Sequence, residues 1–368
     1  MEDHIVWIDF DIIEQFVIDV FRECGVPDAD AKVCADVLLT ADKRGIHSHG
    51  INRLKTVYYD RIKIGIMHPV TPFEIIREGP TSCVVEGHDG MGHVISKRSM
   101  DIAINKAKDY GMGMVVVKNS SHYGIAGYYV LMAVKADMIG ISGTNARPAV
   151  APTFGVETML GTNPMTFGMP TDEPFPFLID CATATTAEGK IEVYMKKGME
   201  VPSSWVIGED GRPRTDASQI LKDLRKGRCA ITPLGGIGEE TAGYKGYGYS
   251  TVVEILCSAL SGGKFLKMLD GVKDGKPSPY HLGHFFIAIN ISAFIDPGTF
   301  KKVTGDILRS LRASKKMPGQ ERIYTAGEKE YLYWESVKDK GIPLDEKLQK
   351  EIVTIRDELG LYQYDFPF

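Results

Sequence analysis

The chain has 368 residues, 43% of them hydrophobic and 25% charged, enough for one large globular domain or two intertwined ones. A net charge of -5 gives no electrostatic reason to expect nucleic acid or an anionic membrane, both of which favour a basic face, and leaves a small molecule as the expected partner. No apolar run reaches the roughly 18 residues of a membrane span. In chain order, the first element reads as a helix: Ile12, Ile13, Phe16, Val17, Val20 and Phe21 recur at helical spacing behind Asp9 or Asp11 as a cap, and Gly25 stops it. A second helix is expected to start after Pro27 and Asp28, to run through Val33, Val37 and Leu38, and to close near Gly45. A third is expected to begin around Ser48.

From about residue 72 the pattern changes to short β-branched runs bounded by glycines: Glu74 to Ile76, Cys83 to Val85 and Met114 to Val117. A helix is expected over Lys97 to Tyr110. Further strands are expected at Met138 to Ser142, Met165 to Met169, Phe177 to Asp180 and His284 to Ile291. After about residue 298 the chain reads helical again, over Phe300 to Leu311 and from Asp345 through Leu348, Ile352, Val353 and Ile355. Strands alternating with helices give an α/β or α+β class, with the two chain ends expected to pack together.

Six cysteines, Cys24, Cys34, Cys83, Cys181, Cys229 and Cys257, lie far apart with no C-x-x-C pair, the pattern of free thiols in a reducing compartment. The start, Met1 to His4, is acidic and lacks the regions of a secretory signal, so a cytoplasmic location is expected.

Three phosphate and metal motifs are missing: no G-x-G-x-x-G, no Walker A, no H-E-x-x-H. Polar residues instead gather in glycine-bounded turns. In the segment Arg44 to Arg53, a helix capped by Ser48 would set His49 and Arg53 four apart on one face. Hydride transfer to a 2-keto acid needs such a pair, an imidazole to exchange the proton and a guanidinium to hold the carboxylate. A helix start satisfied by its own backbone is the alternative. A metal role for His47 and His49 lacks a third ligand nearby.

His122 follows the Val115 to Val117 strand and is a second acid/base candidate, or an ordinary loop histidine. Asp180 closes an apolar strand. Its carboxylate needs a partner, either a histidine N–H or the backbone of the next turn. Ser48, His49 and Asp180 form the outline of a hydrolase relay, but no G-x-S-x-G elbow surrounds Ser48. Gly243 to Gly248, with Lys245, opens an apolar helix and suits a dinucleotide pyrophosphate, or is a plain glycine-rich loop.

Taken in order, these groups resemble the type-2 malate/L-lactate dehydrogenase family, which also holds ureidoglycolate, sulfolactate and diketogulonate oxidoreductases and some cyclic imine reductases. The resemblance rests on Ser48-His49-Gly50 with Arg53, Ser121 to Gly124 with Gly127 to Tyr129, Leu160 to Pro164, Asp180 to Thr183 with Gly189-Lys190, Tyr244 to Gly248, and Gly283 to Phe286. It implies a three-layer mixed-sheet domain, not a Rossmann fold, over 76–297, inserted in a helical domain formed by 1–75 plus 298–368, in a homodimer. It also implies acid/base roles for His49 and His122, Asp180 as the orienter of His49, and Arg53 as the carboxylate ligand. NAD, or NADP, would contact Asp180, Cys181, Ala182, Lys245, Ala326, Gly327 and Glu328, and no metal is implied.

Three positions depart from the family pattern: Val57 where a tyrosine is usual, with Tyr58 next door; Tyr244 in place of histidine; and Ala326 in place of proline. The activity implied is interconversion of a small (S)-2-hydroxy acid and its 2-keto acid, L-malate first, with ureidoglycolate, sulfolactate or lactate oxidation or diketo-acid or cyclic imine reduction as alternatives. A ligand-binding protein without activity is a further one.

Overall fold

The computed structural model describes residues 5–368; the acidic start at 1–4 lies outside them. A short strand, β1 (Val6–Ile8), leads into α1 (Phe10–Glu23) and α2 (Asp28–Lys43). The cap of α1 is Asp9, whose carboxylate accepts the Asp11 N–H at 2.8 Å. Ile13, Phe16, Val17, Val20 and Phe21 are sealed from solvent as their spacing requires, whereas Ile12 faces out.

The expected third helix does not form at its start. Residues His47–His49 and Ile51–Arg53 are 3-10 turns, Leu54–Tyr59 is a π-turn, and only α3 (Asp60–Lys63) is α-helical. The cause is Asp42, near the end of α2. Its buried carboxylate accepts the Ile51 N–H at 2.7 Å and a ring nitrogen of His47 lies 2.8 Å away. Gly50 passes so close that a Cβ there would fall on that carboxylate. Ser48 therefore caps nothing.

The strands follow the expected pattern: β2 (Glu74–Glu78), β3 (Ser82–Glu86), then α4 (Gly92–Tyr110), β4 (Met112–Ser120), α5 (Ala126–Lys135), β5 (Met138–Thr144), β6 (Met165–Met169) and β7 (Phe177–Cys181). Next come α6 (Glu188–Lys196), β8 (Val206–Gly208), α7 (Ala217–Leu224) and β9 (Cys229–Ile231), packed around Ile191, Val206, Ile220 and Ile231. After α8 (Gly243–Ser258) a small hairpin, β10 (Val272–Lys273) and β11 (Lys276–Pro277), precedes β12 (Leu282–Asn290). The chain ends in α9 (Pro297–Ala313), α10 (Glu328–Val337), β13 (Ile342–Leu344) and α11 (Glu346–Leu359).

Seven strands form one mixed sheet in the order β2-β3-β4-β12-β5-β6-β7, in which only β3 and β4 run parallel. That is not the parallel sheet of a doubly wound nucleotide fold. Alternation along β4 explains the layering: Val115 and Val117 pack on α4 and α5, and Val116 packs with Val253 and Cys257 of α8 on the other face. The chain ends do meet. β1 pairs antiparallel with β13, Val6 opposite Leu344, and one core joins Phe10 and Phe16 to Leu348, Ile352 and Phe366.

Two histidines are sealed inside this frame. His93 at the start of α4 and His284 in β12 are each pushed by burial from the ordinary 6.5 down to about 3. Below pH 6.5 the unfolded chain binds protons at both positions while the folded chain leaves them neutral. Stability is therefore complete above about pH 6.5 and falls as pH drops towards 3, by about 1.4 kcal/mol per unit per ring. Between pH 7 and pH 5 the two rings together remove about 4 kcal/mol. Urea midpoints at the two pH values measure this, and equal midpoints would refute it.

Candidate active site

The turn from 47 to 59 carries most of the polar groups. His47 uses both ring nitrogens inside the protein: Nδ1 lies 2.8 Å from Asp42 and Nε2 lies 2.8 Å from the Tyr333 hydroxyl of α10. It is a pin between the two chain ends. Among the described residues no group of three or more His, Cys, Asp or Glu side chains is placed to hold a metal ion. All six cysteines are free thiols.

His49 is half-buried beside it, with Nδ1 at 2.9 Å from the Ser48 hydroxyl. Arg53 donates its Nε–H to the Ser48 carbonyl at 2.5 Å, which fixes the guanidinium and leaves its terminal amino groups without a hydrogen bond among the described residues. His122, at the turn after β4, stacks on His49 with ring centroids 5.8 Å apart and 20° between planes. Its Nδ1 lies 2.6 Å from the Tyr58 hydroxyl and accepts the Gly124 N–H at 3.2 Å. Burial, then the charge of Arg53, pushes His49 down to about 4. His122 is held well below its ordinary range by burial and then by His49, His93, Arg53 and His284. Both rings are therefore neutral near pH 7, each with one nitrogen committed and the other without a hydrogen bond among the described residues.

Asp180 does not orient His49. Its Oδ2 accepts the Gly127 N–H at 2.6 Å and its Oδ1 the Thr166 hydroxyl at 2.9 Å, so the carboxylate caps the first turn of α5. Burial pushes its pKa up, against those two hydrogen bonds and Arg44. The partner of His49 is Ser48. The physical reason is the backbone: an amide of α5 needs a cap, and Asp180 at the end of β7 reaches it.

The segments expected to meet the cofactor are drawn together by backbone hydrogen bonds. Leu178 N–H donates to the Ala326 carbonyl at 3.2 Å, which sets Ala326 to Glu328 beside the strand leading to Asp180, Cys181 and Ala182. Leu234 N–H donates to the Thr183 carbonyl at 2.8 Å, and Gly246 packs so close to Leu234 that no side chain fits there. Lys245 thus sits on the adjoining turn, exposed and without an ion pair among the described residues. Ala242, the residue that opens α8, offers no side-chain cap. Glu328 is nearly sealed, and its carboxylate is committed within the protein to Arg322, to Arg312 and to the Thr325 N–H.

Two residues of the site carried no role in the sequence reading. Tyr58 is reached because the π-turn sets the fifth residue after Arg53 where an α-helix would set the fourth, Val57. Arg44 has no hydrogen bond or ion pair among the described residues and a sealed Nε, although Asp180 and Glu330 act on it through space. A half-buried guanidinium near Asp180 and an exposed lysine on the first turn of α8, neither side chain in a hydrogen bond or ion pair among the described residues, suit an anionic dinucleotide.

Residues 8–353 match the malate/L-lactate dehydrogenase family. The chain belongs to that family. It is 42% identical over 361 residues to the malate dehydrogenase of Pyrococcus horikoshii, covering 98% of each chain. It is 36% identical to the L-sulfolactate dehydrogenase of Methanocaldococcus jannaschii, over 96% of this chain and 97% of that one. The crystal structure of malate dehydrogenase from Entamoeba histolytica superposes with a TM-score of 0.94 at 44% identity, covering 99% of this chain and 100% of that one. A family member of this kind is an oxidoreductase of 2-hydroxy acids with a nicotinamide cofactor. No helix among the described residues is long and apolar enough to cross a membrane.

Proposed function

We propose that the protein interconverts L-malate and oxaloacetate with NAD in the cytoplasm, as a homodimer. The observation that carries this reading is the meeting of two neutral imidazoles, His49 and His122, with a fixed guanidinium, Arg53. The bound nicotinamide supplies the acceptor for the hydride that leaves C2. Arg53 holds the C1 carboxylate, and a histidine takes the hydroxyl proton. Burial keeps both rings neutral near pH 7, so that an imidazole lone pair is available to take this proton.

Malate is favoured over other 2-hydroxy acids by full-length relatives and a solved structure named for it, at 42% and 44% identity. For NAD the support is thinner: a ureidoglycolate dehydrogenase of Escherichia coli, 28% identical over 94% of this chain and 95% of that one, is named for NAD(+). The dinucleotide would lie along Asp180, Cys181 and Ala182, Lys245, and Ala326 and Gly327. With its carboxylate committed, Glu328 would contribute through its backbone. A second copy is favoured by the exposed apolar groups on and after α8, Tyr249, Val252, Ile255, Leu260 and Phe265. The division into a helical unit, 1–75 plus 298–368, and an inserted sheet unit, 76–297, belongs to the same reading.

Oxidation of NADH and NADPH against oxaloacetate, pyruvate, sulfopyruvate, oxalurate, 2,3-diketogulonate and a cyclic imine acid tests the proposal. Oxaloacetate with NADH is expected to give the highest kcat/KM. Faster turnover of sulfopyruvate would make the protein a sulfolactate dehydrogenase, and faster turnover with NADPH would overturn the cofactor choice.

A further inference from the structure

His122 Nδ1 has two neighbours, the Tyr58 hydroxyl at 2.6 Å and the Gly124 backbone N–H at 3.2 Å. A backbone amide can only donate, so Nδ1 must offer its lone pair. In a neutral imidazole the single proton then sits on Nε2, and the rotatable Tyr58 hydroxyl donates to Nδ1 as well.

Tyr58 is placed for this with little freedom. Its ring is sealed, 4.5 Å from the His93 ring and edge-on to Phe21 at 6.1 Å. Burial keeps its hydroxyl protonated far beyond neutral pH. The π-turn at Leu54–Tyr59 is what carries the phenol to this spot, and such turns recur at functional sites.

We propose that Tyr58 is a positioning residue that, with the Gly124 amide, locks His122 as its Nε2–H tautomer, so that His122 meets the substrate C2 oxygen as a hydrogen-bond donor while His49 exchanges the proton. The catalytic half rests on the 2-hydroxy acid reading above. In oxidation, a bound oxidised nicotinamide would supply the acceptor for the electron pair of the C2–H bond. The O–H proton passes to Nε2 of His49, whose Nδ1–H then donates to the Ser48 hydroxyl. The new C2=O oxygen stays hydrogen-bonded to His122 Nε2–H, which neither gains nor loses a proton. His49 afterwards releases its proton to solvent. The neutral imidazole donor and the separate acid/base group divide the work as two differently tuned groups commonly do.

The groups that face His122 are His49 and Arg53 from the turns before the π-turn, Tyr58 within it, His93 from α4 and His284 from β12. Hydrogen-bond donation to Nδ1 favours the neutral ring, so removing it raises the pKa of His122 and populates the other tautomer.

The full-length protein labelled with [15N]histidine gives the test, since long-range proton–nitrogen correlation separates protonated from unprotonated ring nitrogens without substrate. His122 is assigned by the signals lost in His122→Gln. The expected result is an unprotonated Nδ1 and protonated Nε2 for His122 from pH 6 to pH 8. Tyr58→Phe keeps the ring and its stacking; it is expected to mix the tautomers and lower kcat about 10-fold with KM nearly unchanged.

A protonated Nδ1 in the parent protein would overturn the proposal, as would a Tyr58→Phe variant with tautomer and kcat both unaltered. The Nε2–H tautomer in a protein that reduces no 2-keto acid would support the positioning role and refute the function proposed above together with the catalytic half.

Discussion

His49→Ala is expected to lower kcat by about 10²- to 10⁴-fold while the protein stays folded, the range for loss of a positioned acid/base group. The ring is only half-buried, and among the described residues its one hydrogen bond is to its neighbour Ser48, so its removal leaves no buried group stranded. The fall should appear in both directions, because the group that accepts the proton in oxidation returns it in reduction. KM for oxaloacetate should change less, since Arg53 keeps its anchor on the Ser48 carbonyl. Turnover in both directions with a circular dichroism spectrum checks the prediction. Near-normal kcat in a folded variant would move the proton exchange to His122.

Arg53→Gln is expected to lower kcat/KM for oxaloacetate by about 10²- to 10³-fold, mostly through KM. Losing one partner of a desolvated charge pair costs about 2–5 kcal/mol, and each 1.4 kcal/mol is roughly tenfold. Arg53→Lys should recover only part of this, because a lysine cannot present two parallel N–H groups to a carboxylate. A second consequence has a definite sign. Arg53 helps to hold both histidines low, so its neutralisation raises them and moves the acid limb of the rate profile to higher pH. An unchanged KM would show that the carboxylate is held elsewhere.

Much of the sheet was legible from local signals. Met114 to Val117, Met138 to Ser142, Met165 to Met169 and His284 onward all became strands, because β-branched runs between glycines suit a pleated, doubly covered surface. The helices that escaped notice show why others were visible. α6 buries only Ile191, and α10 only Glu328 and Val337, so neither carries the apolar stripe that marks a helix in a sequence. Asp9 and Asp345 were legible as caps because a cap and its amide lie within three residues.

For the candidate site, the sequence alone named His49, Arg53 and His122 from residue type and glycine-bounded turns. It also narrowed the class to α/β or α+β and determined the absence of a glycine-rich dinucleotide fingerprint, since composition, period and spacing are properties of neighbouring residues. Partnership was decided only by the tertiary structure. His122 finds Tyr58 across 64 residues and His47 finds Tyr333 across 286. Asp180 was expected to serve a histidine or the backbone of the turn that follows it, but the fold brings the first turn of α5 within its reach. The carboxylate of Asp42 likewise draws Ile51 out of an α-helix and leaves a π-turn to carry Tyr58. No local pattern encodes such contacts, because a buried polar group takes whichever donor or acceptor the packed fold brings closest.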